Sequence, residues 1–156
     1  METWKTALRR GLVGGAAASL CSTVALAALG KRATGSAWAP TNAVSHIVWG
    51  DKAFGQDAPS LRYTLPGYAL HHGSAVFWSV LFERACAGLL DRRDPATTLG
   101  AGLAASGVAC LVDYRFTPAR FKPGYEARLS KPALALVYGV FGAGLTLGAL
   151  LARRSD

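Results

Sequence analysis

Charge vanishes from this chain in four places. No Asp, Glu, Lys or Arg occurs in 11–30, 63–82, 95–112 or 132–152, stretches of 18 to 21 residues each. An α-helix of about 20 residues spans a hydrocarbon layer roughly 30 Å thick. A helix of a water-soluble domain keeps a charged or polar face toward solvent. Here no face is charged, and the period-two alternation of barrel strands is missing. Only helices and closed barrels satisfy their backbone polar groups in lipid. The pattern predicts an all-α integral membrane four-helix bundle with spans over 11–30, 66–90, 95–113 and 132–152.

The connections carry their own pattern. After Pro40, the run 41–49 places Ala43, Val44, Ile47 and Val48 on one face and Asn42, Ser45, His46 and Trp49 on the other, with a stop at Gly50. This predicts a short interfacial helix with Trp49 at head-group level. The third connection, 117–126, mixes aromatic and basic residues and reads the same way. Ser130-Lys131-Pro132 reads as an N-cap followed by Pro in the first helical turn. Pro-Gly-Tyr occurs at 66–68 and again at 123–125, so a two-hairpin duplication enters as an alternative to an unrepeated chain.

Composition agrees with this picture. The chain has 156 residues, 51% hydrophobic and 17% charged, with a mean hydropathy of +0.25. It is too apolar for disorder, and its length suits a single domain over 1–156. The three cysteines show no CxxC spacing. Cys21 and Cys110 fall in apolar runs and read as small buried residues. The first run also competes as a signal peptide. It follows Lys5, Arg9 and Arg10, and Ala25-Leu26-Ala27 fits a cleavage pattern. Its 20 apolar residues exceed the usual signal core.

The net charge of +8 reads as contact with anionic lipid head groups. Basic residues divide almost equally between the two sides of a four-span topology. Those of the N-terminal tail, the 91–94 connection and the C-terminal tail are packed close to the spans. This favours both termini in the cytoplasm. The basic residues form no stripe interleaved with exposed aromatics, so nucleic acid is not expected as a partner.

Small residues recur on the predicted spans: Gly11, Gly14, Gly15 and Ala18, then Gly102 and Ser106, then Gly144 and Gly148 at GxxxG spacing. Helices in lipid associate through such faces, either within one chain or toward a homo-oligomer or a membrane partner protein.

One polar constellation stands out. His46, His71, His72 and Asp113 fall on the non-cytoplasmic side of this topology. Cys110 lies one turn deeper, and Tyr114, Tyr125 and Glu126 are on the same side. These six site candidates (His46, His71, His72, Cys110, Asp113 and Glu126) have the chemistry of a proton or metal site. The competing reading is structural, with imidazoles bonded to backbone or neighbouring side chains. No HxxxH, HxxE or CxxH spacing exists, so no metal is assigned and no cofactor is implied. His72 and Asp113 are expected to approach each other. Glu83 and Arg84, near the end of the second span, form a candidate interhelical ion pair, with Arg9 or Arg10 as the expected partner of Glu83.

No nucleotide loop, GxSxG, HExxH or CxxCH is present. With Asn42-Ala-Val-Ser-His46-Ile-Val-Trp-Gly50, His71-His72 and the 113–126 segment in view, the chain resembles small four-helix inner-membrane proteins of Gram-negative bacteria that carry no assigned activity. The resemblance implies location and fold and transfers no functional residue. The expectation is therefore a non-enzymatic accessory or scaffold membrane subunit. The alternative is a small transporter or a metal- or proton-handling protein using the His/Asp side.

Overall fold

The computed structural model describes residues 3–154, and among these every regular element is helical. Six α-helices follow in order: α1 (Trp4–Thr34), α2 (Ala39–Val44), α3 (His46–Trp49), α4 (Thr64–Leu90), α5 (Pro95–Leu111) and α6 (Lys131–Ala152). A π-helical turn, Val112–Phe116, prolongs α5. Four helices are long and apolar enough to cross a membrane: α1, α4, α5 with its π turn, and α6. The four expected spans thus match four helices. α1 runs well beyond 11–30 at both ends, because the basic residues at its ends do not interrupt backbone hydrogen bonding.

The chain divides into two compact units. The first comprises Met1–Ser22, His72–Ala109 and Tyr138–Asp156, and the second Thr23–His71 and Cys110–Val137. α1, α4, α5 and α6 contribute residues to both.

In the first unit, helices meet backbone to backbone. A Cβ on Gly15 would lie 2.5 Å from Val76 Cα, and one on Gly144 would lie 2.6 Å from Ala18 Cα. Gly148 meets Gly14, and Gly102 meets Gly142, in the same way. Packing between helices in lipid depends on this closeness, because hydrophobic burial gives no advantage there. The small-residue faces therefore turn inward, within the chain. Ala18, Ala75, Phe82, Leu90, Phe141, Leu145 and Ala149 fill the core. Between 141 and 152 α6 is exposed only at Ala143, Leu147 and Leu151, a stripe with a four-residue repeat, so most of its remaining surface is covered. α4 and α5 are joined by a tight turn in which Arg93 has φ 56°. Asp94 caps α5, its Oδ2 accepting from the Thr97 N–H at 2.7 Å.

The second unit holds the long first connection. Asn42, wholly buried, ties it together. Its Nδ2 donates to the carbonyls of Gln56 (2.9 Å) and Ala58 (3.0 Å), and its Oδ1 accepts from Thr64 Oγ1 at 2.7 Å. Gly67 of α4 packs on the Thr41 carbonyl. The single interfacial helix expected over 41–49 is broken at Ser45 into α2 and α3. Its expected polar face is mostly inside: Asn42, Ser45 and His46 are buried, whereas Val48 and Trp49 are exposed. Amphipathic spacing misleads here because side-chain to backbone bonds, local at Ser45 and His46 and distant in sequence at Asn42, satisfy the polar groups inside. The third connection contains only 3-10 turns, Ala119–Phe121 and Tyr125–Ala127. Ser130 Oγ accepts from the Ala133 N–H at 3.4 Å at the start of α6, as its N-cap position predicts. The two Pro-Gly-Tyr copies differ. Gly67 lies inside α4, and Gly124 forms a turn at φ 85°, so no structural repeat accompanies them.

Candidate functional site

Two polar clusters concentrate the chemistry, one in each unit. The first begins with Glu83, on the face of α4 that also carries Ser79, four residues earlier. Both are buried. Arg153, one residue beyond α6, reaches Glu83 through Nη1, 3.1 Å from Oε1 and 2.9 Å from Oε2. The same Nη1 donates to the Ala149 carbonyl at 3.3 Å, so the guanidinium also caps the C-terminal end of α6, where a cation is favoured. Its Nε lies 3.0 Å from Asp91 Oδ1 in the turn after α4, and Arg10 Nη1 reaches the same oxygen at 3.3 Å. Two arginines and two carboxylates thus form a neutral chain linking α1, α4, the turn and α6.

The sequence offers Arg9 or Arg10 as the partner of Glu83; the structure adds Arg153 in direct contact, and Arg10 enters the same cluster through Asp91. Arg153 reads as tail in the sequence, because it follows the last apolar residue and counts as a flanking charge. In the structure its side chain folds back and is 1% exposed. Arg84 departs from Glu83 and places its guanidinium over the Trp4 ring, 5.4 Å from the centroid. The adjacent acid and base therefore serve separate contacts.

The second cluster surrounds Tyr125. Gly124, at φ 85°, lets the chain turn against His46: a Cβ there would sit 2.9 Å from His46 Nδ1. The turn drives Tyr125 inward, where its hydroxyl lies 2.7 Å from His71 Nδ1 on α4. Burial, helped by the charges of Asp113 and Glu126, pushes the Tyr125 phenol well above the usual tyrosine range. Asp113 sits on the π turn after α5, which shifts it from the α-helical register in which Ser106, Cys110 and Asp113 share one face. Cys110 lies within electrostatic reach of Asp113. Glu126 is exposed.

The other two histidines have their own partners. His46 is buried, with Nδ1 2.9 Å from the Ala43 carbonyl and its ring stacked on Phe54 at 4.9 Å. His72 Nδ1 lies 2.8 Å from Ser19 Oγ of α1, within the first unit. His71 and His72 are adjacent in sequence and turn to different helix faces, as the 100° step between neighbours requires. His71, Tyr125, Asp113 and Glu126 come together in the second unit. Among the described residues, no three of His, Cys, Asp and Glu converge as a metal ion requires. Cys21, Cys86 and Cys110 are free thiols.

No family model, no curated protein and no solved structure matches this chain.

Proposed function

We propose that the chain is a small non-enzymatic inner-membrane protein, an accessory subunit or scaffold, with both termini in the cytoplasm. The observation that carries this reading is the buried Glu83–Arg153 pair. A buried charge taken from water costs several kcal/mol unless a counterion meets it, and this pair supplies that counterion to both groups. Here the acid closes on a base that also caps its own helix, an arrangement suited to holding helices together. His46 and His72 point the same way, each bonded to a backbone carbonyl or a serine. The resemblance to small inner-membrane proteins agrees with this location.

Purification from native membranes in mild detergent, after brief cross-linking, tests the proposal. A stoichiometric partner or a discrete self-associated species is expected. A solitary chain under cross-linking would contradict it.

A second reading, a proton-handling protein, is favoured by the His71–Tyr125 bond with Asp113 and Glu126 close by. Imidazole, phenol and carboxylate in sequence are able to pass a proton. Proton flux into proteoliposomes that falls with His71→Ala would favour it over the scaffold reading.

A further inference from the structure

Trp49 ends α3, and Gly50, at φ 70°, turns the chain into the 3-10 segment Gly50–Gly55. Two arginines border this corner. The Arg62 carbonyl accepts from Trp49 Nε1 at 2.7 Å, which fixes the indole against the 60–63 turn. The Arg62 guanidinium then lies 5.0 Å from the Trp49 centroid and 5.5 Å from that of Tyr63. Arg120 comes from the third connection, whose Ala119–Phe121 turn packs on α3. Its Nη1 would lie 3.7 Å from a Cβ on Gly50.

Neither guanidinium forms an ion pair or a hydrogen bond among the described residues, and both side chains are exposed. Asp51, one residue past the corner, is likewise unpaired, so it does not quench them. The second unit carries nine Lys and Arg against four Asp and Glu, a net +5. Of its acids, Asp57 is held by Arg128. Exposed apolar groups flank the arginines: Leu61 at 86%, Phe121 at 60% and Trp49 at 40%. Exposed aromatics beside unpaired cations are the composition of a membrane interface, where rings sit among head groups and guanidiniums meet phosphate.

We infer that the corner formed by Trp49, Gly50, Arg62 and Arg120 binds the phosphate of an anionic phospholipid head group. The two rings hold Arg62 in place, so its planar donors are ordered before the phosphate arrives, and Arg120 supplies a second fork from another loop. Leu61 and Phe121 would accompany the head group as acyl-level contacts. The inference deepens the membrane reading and rests on it. Extraction of the chain by detergent but not by alkaline carbonate checks that reading separately.

The test uses the full chain, delipidated in a neutral detergent. It is titrated with phosphatidylglycerol, phosphatidylcholine or inorganic phosphate, and retained ligand is counted by native mass spectrometry. Phosphatidylglycerol is expected to bind in preference to the other two. The R62Q/R120Q variant should weaken that binding roughly tenfold or more, and Arg32→Gln, an equal kind of charge loss at the end of α1, should leave it unchanged. Arg120→Gln alone removes a guanidinium that makes no ion pair or hydrogen bond among the described residues and gives an intermediate loss, so the proposal stays testable if the double variant misfolds. Equal loss with Arg32→Gln, undiminished binding by R62Q/R120Q, or equally tight binding of inorganic phosphate would each overturn the assignment.

Discussion

Arg153 Nη1 lies 2.9 Å from Glu83 Oε2, and the two side chains are 1% and 0% exposed. The contact joins the end of α6 to the interior face of α4. It is the most deeply buried charge pair among the described residues. Its removal in halves should be worse than its removal as a whole, because each half leaves a buried charge without this counterion.

Glu83→Gln or Arg153→Ala should each cost about 3–5 kcal/mol of stability, whereas a double change to Leu and Met should recover more than half of that loss. Unfolding in mixed micelles followed by circular dichroism reads the difference. Additive losses in the double variant would show that the pair is not coupled.

The glycine contacts predict a contrast. Gly144→Ala puts a methyl 2.6 Å from Ala18 Cα, part of the backbone, so the helices must separate, at a cost of about 1–3 kcal/mol. Gly107, with nothing within 4 Å of its Cβ position, should accept Ala with a change within about 1 kcal/mol. Equal effects at both positions would refute close backbone packing at Gly144.

Tyr125 should give the folded state an alkaline limit. Its phenol titrates well above the usual range in the native protein, and near 10 when unfolded. Above that pH the unfolded chain has lost a proton that the native chain keeps, so stability falls as pH rises. Tyr125→Phe should flatten this slope. It should also cost about 0.5–1.5 kcal/mol at neutral pH through the lost bond to His71. Melting temperatures between pH 8 and about 11 compare the two chains.

Asp94 should act in the opposite direction. Its bonds with Thr97 hold the carboxyl below the usual range. The cap is therefore complete above the unfolded carboxylate pKa and lost as pH falls through the lower native value. Hydrogen-exchange protection at Thr97 should drop in Asp94→Ala at neutral pH. In the parent chain it should drop only under acid conditions.

The fold was legible because absence of charge over 18 to 21 residues admits few structures, and four such runs became four long helices. The site was only partly legible. His71 was readable as a polar group in a span, and Tyr125 as a neighbour by topology. Their pairing depends on the positive φ of Gly124, and Pro-Gly-Tyr alone does not announce it, since the same tripeptide lies within α4 at 66–68. Arg153 was hidden by position: a tail arginine and an interior arginine look alike until the chain folds back. Periodicity over 41–49 pointed the polar residues outward. Asn42 shows why it failed, because carbonyls at Gln56 and Ala58, far along the chain, satisfy it inside.

Cysteine-accessibility mapping in intact cells tests the central claim, four spans with both termini in the cytoplasm, most directly. With Cys21, Cys86 and Cys110 replaced, single cysteines would be placed at Lys52, Arg92, Lys122 and Arg154 and treated with a membrane-impermeant maleimide. The account predicts labelling of Lys52→Cys and Lys122→Cys in intact cells, and of Arg92→Cys and Arg154→Cys only after permeabilisation. Labelling of all four from one side would contradict the four spans, and the reverse pattern would contradict the orientation.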